Sequence, residues 1–346
     1  MAETTEAATT AATSEHLLEV RDLKTYFHTS AGIARAVDGV SFTLDRGKTL
    51  GIVGESGSGK SVTASSVIRL LPKTGKIEGG TITFDGKDMV HIDMRELLAL
   101  RGKDIAMIYQ DPMTSLDPVF KVGSQMIELI RAHENISKAE ARERAIEMLR
   151  LVGIPEPERR MDSYPYELSG GMCQRVIIAM AMSLKPKFII ADEPTTALDV
   201  TVQSQVLDLL KSLQDTFGTG ILLITHNLGI VWKMADEVMV MYAGRTVEHA
   251  STEELYANPL HPYTWGLLDS MPKLSDNENE DLKTIPGVPP DLRLTGECCN
   301  FCNRCPYATE ICSREVPPVR EVAPGHIVAC HLQDGKGGLV REGGAR

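Results

Sequence analysis

Short apolar runs that end in polar residues recur along the chain and predict buried strands. The runs at 49–53, 188–191 and 220–224 are mostly apolar, and polar or glycine-rich sequence follows each within two residues. Runs of this length without strict alternation are typical of strands covered on both faces of a parallel sheet. Strand ends of this kind are candidate positions for functional side chains.

A helical period replaces this pattern farther along the chain. Ser137 and Glu140 have the spacing of a capping box, which marks the start of a helix. Ala145, Leu149 and Val152 follow at helical spacing and therefore share one face. The segment that separates the strands is predicted to be mainly helical.

The order of these segments predicts an α/β fold that is interrupted by a helical lobe. Residues 16–255 are expected to form one domain, with antiparallel strands near its start, a largely parallel core sheet, and the helical lobe at 111–185. The other predicted segments are a polar tail at 1–15, a small cysteine-rich C-terminal extension at 256–332 and a flexible tail at 333–346.

The composition argues against several classes of protein. A formal net charge of −11 does not suit a protein that coats nucleic acid non-specifically, because such a protein needs a basic face. No apolar stretch approaches the roughly 18 residues needed to span a bilayer. The N-terminus lacks the basic start and apolar core of a secretion signal. We therefore expect a cytosolic chain whose thiols stay reduced.

The turn after the first apolar run carries the complete P-loop pattern. It reads Gly54-x4-Gly59-Lys60-Ser61. The glycines let backbone N–H groups turn inward around phosphate oxygens, and the following helix adds its positive end. Lys60 is expected to reach the β- and γ-phosphates of ATP, and Ser61 to ligate Mg²⁺. A glycine turn without a ligand is the alternative, but strand, loop, lysine and hydroxyl all agree with a nucleotide site.

Two acids end the second apolar run. Asp192 is placed to hold Mg²⁺, usually through water, and Glu193 to polarise the attacking water. Adjacent acids at a strand end are often only solvated. Here the P-loop earlier in the chain favours the functional interpretation.

The segment LSGG at 168–171 predicts a second anion site, apart from the P-loop. Ser169 can cap a helix, and Gly170 and Gly171 expose backbone donors at its start. Together with the motifs above, LSGG resembles the signature of the ABC-type ATPases. The resemblance implies that each signature completes the site of a partner subunit, with two ATP molecules held between two chains.

Other motifs match the ABC pattern residue by residue. Gln110 matches the Q-loop glutamine, Asp199 ends the D-loop motif TALD, and His226 matches the switch histidine. Phe27 lies about where an aromatic ring stacks on adenine, although Tyr26 is an alternative.

The resemblance implies roles for these residues. Glu193 would activate water, with Gln110 and His226 as further catalytic residues, and Ser61, Gln110 and Asp192 would hold Mg²⁺. The residues implied for nucleotide binding are Phe27, Gly54, Ser56, Gly57, Ser58, Gly59, Lys60, Ser61, Val62, Gln110, Asp192, Ser169, Gly170, Gly171 and Asp199.

Several longer stretches resemble the ATP-binding subunits of dipeptide and oligopeptide permeases. They are YQDPMTSLDP (109–118), DEPTTALDVT (192–201), HPYTWGLL (261–268) and the cysteine-bearing segment from 304. The resemblance implies a motor at the cytoplasmic face of the membrane. Its implied partners are a second, non-identical ATPase subunit, two transmembrane permease subunits and an extracytoplasmic solute-binding protein. Relatives also import nickel complexes, glutathione-like peptides or oligosaccharides, so the cargo stays open.

Two functions of other classes compete with import. A non-transport ABC ATPase that moves nucleic acid is disfavoured by the acidic charge and by the lack of a long coiled coil. A regulatory module that holds ATP without cleaving it is disfavoured by the intact Glu193 and His226.

Six of the seven cysteines lie between residues 298 and 330, and the seventh is Cys173 on the signature helix. Cys173 is expected to be an inert side chain, with oxidation sensitivity as the alternative. In a reducing compartment the clustered thiols are expected to bind metal, with free structural thiols as the alternative. Zinc favours paired C-x2-C knuckles. The run Cys299-x2-Cys302-x2-Cys305 resembles the start of a ferredoxin motif and favours a [4Fe-4S] cluster.

Two ligand sets compete for such a cluster. The local pattern selects Cys299, Cys302 and Cys305. The permease pattern C-x5-C-x6-C-x17-C implies Cys299, Cys305, Cys312 and Cys330, and it is preferred because it explains the distant Cys330. The cluster is expected to be structural or sensing, and too far from the P-loop to serve hydrolysis.

Overall fold

The computed structural model describes residues 16–196, 198–271, 284–333 and 338–341. The polar tail expected at 1–15 lies outside these ranges, as do parts of the expected C-terminal tail. Within the described ranges no helix has the length and apolar character needed to cross a membrane.

The strands and helices alternate along most of the chain. The strands are β1 (Leu18–Thr29), β2 (Gly32–Leu44), β3 (Thr49–Val53), β4 (Gly75–Phe84), β5 (Lys87–Asp88), β6 (Ile105–Ile108), β7 (Phe188–Asp192), β8 (Gly220–Ile224), β9 (Glu237–Tyr242), β10 (Arg245–Ser251), β11 (Val319–Ala323) and β12 (His326–Ala329). The α-helices are α1 (Lys60–Val67), α2 (Met94–Leu100), α3 (Pro112–Ser115), α4 (Val122–His133), α5 (Lys138–Leu151), α6 (Pro157–Arg160), α7 (Gly170–Met182), α8 (Val200–Phe217), α9 (Leu228–Met234), α10 (Thr252–Ala257) and α11 (Pro262–Asp269).

Two sheets form the α/β core. A four-stranded antiparallel sheet has the order β2-β1-β4-β5, which confirms the antiparallel strands predicted near the start. The second sheet has the order β11-β12-β10-β9-β3-β8-β7-β6, and its strands from β9 to β6 are parallel. Strands β3 and β8 are buried along their whole length, which explains why their sequences are apolar without alternation.

The C-terminal extension adds strands to this second sheet. Strand β12 pairs antiparallel with β10, and β11 pairs with β12. The predicted boundary at residue 256 therefore does not mark the edge of the sheet. The sequence did not predict this continuation, because both added strands are short and only β12 is largely buried.

Helices α3 to α7 form the lobe that was predicted between the strands. The capping box is confirmed, since the hydroxyl of Ser137 accepts from the backbone N–H of Glu140 and the carboxylate of Glu140 accepts from that of Ser137. Ala145, Leu149 and Val152 are fully buried in one apolar cluster of the lobe and the adjoining sheet. Helix α5 packs against α4 and α7 within the lobe, and α7 in turn contacts β6 of the core sheet.

Leu149→Ala should lower the free energy of unfolding by about 2–5 kcal/mol, because it leaves a cavity at a fully buried position. Leu151→Ala in the same helix is the matched control, since that side chain is 47% exposed, and it should cost less than about 1 kcal/mol. Urea denaturation followed by circular dichroism measures both changes. Equal losses would contradict the burial pattern of α5.

Candidate nucleotide-binding site

Three glycines shape the turn between β3 and α1. Gly54, Gly57 and Gly59 have φ angles of 152°, 77° and 105°. A Cβ atom at Gly54 would lie 2.2 Å from the carbonyl oxygen of Met241, and one at Gly59 would lie 2.3 Å from that of Ala36. Only glycine fits these two positions, so the backbone itself requires the glycines of the P-loop pattern.

Lys60 is buried at the first position of α1, and its ammonium group turns back toward the loop. Its Nζ donates to the carbonyl oxygens of Gly54 and Glu55, at 2.8 and 2.9 Å. Burial lowers the pKa of Lys60, and the carboxylates of Glu193 and Asp192 oppose that change. A cation held beside inward-turned backbone groups suits phosphate oxygens. The other residues expected to bind nucleotide in this turn and helix are Ser56, Gly57, Ser58, Ser61 and Val62.

Ser61 and Asp192 form a candidate Mg²⁺ site. The hydroxyl of Ser61 donates to Oδ1 of Asp192 at 3.1 Å, which joins the start of α1 to the end of β7. Burial raises the pKa of Asp192, the bond from Ser61 opposes this rise, and the adjacent Glu193 adds to it. Hydroxyl and carboxylate oxygens are the ligands that Mg²⁺ prefers, so the donor set fits the ion.

Three side chains hold the carboxylate of Glu193. Nε2 of Gln110 and the hydroxyl of Thr196 each donate to Oε2 at 2.9 Å, and Nδ1 of His226 lies 3.0 Å from Oε1. Burial acts to raise the pKa of Glu193, but the bonds from His226 and Thr196 leave it below its ordinary value. The backbone of Glu193 has a φ of 48°, which is unusual for a residue other than glycine. The carboxylate is thus ionised and fixed in direction, as a general base requires.

Thr196 is a candidate that the sequence analysis did not single out. It is the first residue of the TALD motif, but a threonine in a loop gives no separate signal of function. Its bond to Glu193 becomes visible only because the chain turns back immediately after β7, where the backbone N–H of Thr196 donates to the carbonyl oxygen of Glu193.

The signature motif begins α7 with exposed donors. Ser169 caps the helix through its side chain, as predicted, and Ser169 and Gly170 are exposed. A Cβ atom at Gly171 would lie 2.7 Å from Val202 in the first turn of α8, so glycine allows the two helices to approach. Asp199 caps α8. The open first turn of α7 can therefore offer backbone N–H groups to an anion on another molecule.

The two aromatic candidates for stacking on adenine differ in their contacts. The hydroxyl of Tyr26 donates to Asp38 at 2.7 Å, and burial together with this bond raises the pKa of Tyr26 to about 12. Phe27 packs over the backbone of Gly75, where an added Cβ would lie 3.0 Å from its ring. Because Tyr26 is engaged within the protein, the arrangement favours Phe27.

Several C-terminal cysteines influence one another, and the backbone N–H of Cys299 donates to the carbonyl oxygen of Cys312 at 3.0 Å. Burial and then the charges of the neighbouring Cys312, Cys302 and Cys330 raise the pKa of Cys299 to about 12. Burial and the neighbouring Cys305 and Cys312 raise the pKa of Cys330 to about 11. The permease pattern implies Cys299, Cys305, Cys312 and Cys330 as ligands, and this set stays a prediction.

These thiols do not form a ready metal site. Among the residues that the structure describes, no group of three or more histidine, cysteine, aspartate or glutamate side chains is arranged to hold a metal ion. All seven cysteines are free thiols. Burial and then the neighbouring Cys298 raise the pKa of Cys302, and Cys298 is not one of the four implied ligands. Cys173 is fully buried, and burial raises its pKa, in keeping with an inert side chain.

The C-terminal extension contacts the P-loop through the side chain of Arg304, a contact that the sequence did not predict. Arg304 precedes Cys305, and its Nη1 donates to Oε2 of Glu55 at 2.6 Å. Glu55 is the second residue of the P-loop pattern. The two residues are 249 positions apart, so no local sequence pattern could show this contact.

Comparison with known proteins agrees with this geometry. The sequence matches the family described as ABC transporter over residues 37–196, and the family described as oligopeptide/dipeptide transporter, C-terminal region, over residues 247–312. The dimeric ATP-binding cassette MJ0796, solved with ADP and Pi, superposes with a TM-score of 0.61 at 26% identity, covering 68% of this chain and 98% of that chain.

Two relatives are similar over most of the chain. The probable peptide ABC transporter ATP-binding protein of Sinorhizobium fredii is 51% identical over 315 residues, which are 91% of this chain and 94% of that protein. The oligopeptide transport ATP-binding protein OppD of Bacillus subtilis is 52% identical over 317 residues, which are 91% of this chain and 88% of that protein. Identity at this level, across both matched regions, shows that the chain belongs to the ABC transporter family, among the ATP-binding subunits of dipeptide and oligopeptide permeases.

Proposed function

We propose that this chain is the ATP-hydrolysing motor subunit of a binding-protein-dependent importer of dipeptides or oligopeptides. The observation that carries the proposal is the carboxylate of Glu193, which Gln110, Thr196 and His226 orient next to Asp192. Peptide cargo is supported by the relatives, which are named for peptide and oligopeptide transport.

The P-loop side of the site binds the nucleotide. Backbone N–H groups of the loop and the ammonium group of Lys60 face the phosphates, and Phe27 covers the adenine. Ser61 and Asp192 would hold Mg²⁺, which neutralises phosphate charge when bound. These contacts fix the γ-phosphate at the end of β7, where Glu193 lies.

Glu193 then acts as the general base. A water oxygen attacks the γ-phosphorus as Glu193 takes a proton from that water, and the bond to the β–γ bridging oxygen breaks with its electron pair leaving on ADP. His226 and Gln110 keep the carboxylate in position. Negative charge on the transferred phosphoryl group is stabilised by Lys60 and by the signature amides of a second subunit.

We infer that the complete site needs two subunits. The open first turn of α7 at Ser169 supports this inference, and the related MJ0796 cassette was solved as a dimer. The permease resemblance favours a related, non-identical ATPase as the second subunit. ATP would close the pair, and hydrolysis would reopen it.

The other proposed partners are two transmembrane permease subunits and an extracytoplasmic solute-binding protein, which would hold this chain at the cytoplasmic face of the membrane. A groove of about 360 Å³ between the core sheet and the helical lobe supports docking of a permease segment. Its walls are largely apolar and include Tyr109. Tyr109 directly precedes Gln110, so an occupant of the groove would contact the residue next to one that bonds Glu193. Leu70 and Tyr109 on its rim are 45% and 43% exposed.

We also propose that Cys299, Cys305, Cys312 and Cys330 hold a [4Fe-4S] cluster. Thiolate donors suit iron–sulfur clusters, and the backbone N–H of Cys299 donates to the carbonyl oxygen of Cys312, so two of the four cysteines meet although they are distant in sequence. Ionisation on binding would overcome the raised pKa values, because a metal-bound thiol is deprotonated. Zinc is the alternative occupant of the same thiols.

Glu193→Gln should keep ATP affinity and lower turnover in the assembled transporter by about 10²-fold or more, because the amide cannot accept the water proton. Lys60→Ala is the contrasting variant and should weaken ATP binding itself. Phosphate release and binding of a fluorescent ATP analogue measure the two effects. Turnover of Glu193→Gln at the wild-type rate would remove Glu193 from the mechanism.

The isolated chain at low concentration should hydrolyse ATP at least about tenfold more slowly than the full transporter, since each site lacks the signature donors of its partner. Ser169→Arg should lower turnover of the full transporter by blocking those donors. Steady-state rates per ATPase chain provide the comparison. Equal rates for the isolated chain and the transporter would contradict a shared site.

Protein purified without oxygen should contain about four irons and four acid-labile sulfides per chain. Cys330→Ser should lose this content and the brown colour, whereas Cys302→Ser should keep them, because Cys302 lies outside the proposed ligand set. Metal and sulfide analysis of the variants measures the outcome. One zinc per chain in a colourless protein would refute the cluster.

A further inference from the structure

Arg304 is a buried guanidinium in which every N–H group is engaged. Its side chain is 5% exposed. Nη1 and Nη2 donate to the two carboxylate oxygens of Glu55 at 2.6 and 3.0 Å, which is the bidentate arrangement. The other donors reach the hydroxyl of Tyr242 and the carbonyl oxygens of Ile285 and Pro286, at 2.8–3.2 Å.

Glu55 is held a second time by the same extension. Its backbone N–H donates to the hydroxyl of Tyr263 in α11, at 2.8 Å. Its own carbonyl oxygen accepts from Nζ of Lys60 at 2.9 Å. The side chain, the N–H and the C=O of this one P-loop residue are therefore all fixed, two of them by the C-terminal extension.

A second pair of hydrogen bonds connects the C-terminal extension to Ser58, farther along the P-loop. Nδ2 of Asn300 donates to the carbonyl oxygen of Ala243 at 2.9 Å, in the turn between β9 and β10. The next residue, Gly244, donates its N–H to the carbonyl oxygen of Ser58 at 2.9 Å. Through Arg304 and Asn300, the C-terminal extension thus supports the P-loop on both sides of Gly57.

We propose that Arg304 and Tyr263 are positioning residues of the ATP site, which fix Glu55 so that the P-loop keeps its phosphate-binding shape. The C-terminal extension is then a part of the nucleotide site. This inference rests on the proposed function, because it takes ATP as the ligand of the P-loop.

The physical reason is the cost of leaving Glu55 without its partner. Truncating one member of a buried, hydrogen-bonded charge pair leaves the other charge desolvated. Glu55 is 27% exposed at its side chain, so after loss of Arg304 it would turn toward water and pull the loop with it. The carbonyl oxygens that orient Lys60 belong to Gly54 and Glu55, so this movement would also displace the lysine.

Arg304→Met in the full-length chain should weaken binding of a fluorescent ATP analogue, with Mg²⁺ present, by roughly tenfold or more. Arg314→Met is the matched control: it removes an arginine of the same extension that pairs with Glu310 at the surface, and affinity should change less than about twofold. Arg304→Lys should recover part of the affinity by restoring the charge without the bidentate fork. Iron content of each variant shows whether the neighbouring thiols are disturbed.

Tyr263→Phe tests the same idea away from the cysteines and changes little volume. It should weaken ATP binding by roughly threefold to tenfold, because the N–H of Glu55 loses its acceptor. Tyr256→Phe is its control, since that hydroxyl bonds the carbonyl oxygen of Leu228 instead. Thermal unfolding of all variants identifies those that fold.

A double-mutant cycle separates positioning from general destabilisation. If Arg304 acts through Glu55, Glu55→Gln should cost much less affinity in the Arg304→Met background than in the wild type. Additive losses, or folded Arg304→Met and Tyr263→Phe chains with unchanged ATP affinity, would overturn the proposal. Failure of the wild-type chain to bind ATP would instead refute the proposed function.

Discussion

Parallel pairing of four buried strands is the constraint on which the rest of the site depends. Strands β3, β8, β7 and β6 are neighbours in one sheet and run in the same direction, so their carboxyl ends share one edge. Strand spacing of about 4.8 Å then brings side chains from distant parts of the sequence within hydrogen-bond reach. Gln110 and Glu193, which follow β6 and β7, are 83 positions apart and are bonded at 2.9 Å.

At this edge of the sheet the pKa values of the adjacent acids Asp192 and Glu193 shift in opposite directions. Burial dominates for Asp192 and raises its pKa, whereas the donors around Glu193 lower the pKa of that residue. A bound cation would favour the ionised form of Asp192, and so would lower the pKa that burial raises. These surroundings agree with the proposed division of roles, in which Asp192 holds the metal ion and Glu193 acts as the base.

The sequence predicts the elements of this site better than its connections. The glycines, Lys60 and the helix cap at Ser169 are local patterns, and the structure confirms that each has the expected backbone or capping geometry. The bond from Thr196 to Glu193 depends on how tightly the chain turns after β7. The ion pair between Arg304 and Glu55 depends on the extension folding back over the core. Because the two residues are 249 positions apart in sequence, no periodic pattern indicates the pair.

The short segment from Cys299 to Cys305 carries three cysteines and also the residue that contacts the P-loop. The segment forms hydrogen-bonded turns, in which the N–H groups of Arg304 and Cys305 both donate to the carbonyl oxygen of Phe301. Phe301 packs between the rings of Tyr242 and Tyr263, with centroids 5.1 and 5.4 Å away, and Arg304 reaches Glu55. The buried side chains of Phe301 and Arg304 therefore lie between cysteines along the chain. Arg304 directly precedes Cys305 along the backbone, so the residue proposed to position Glu55 and a proposed cluster ligand are neighbours in the chain.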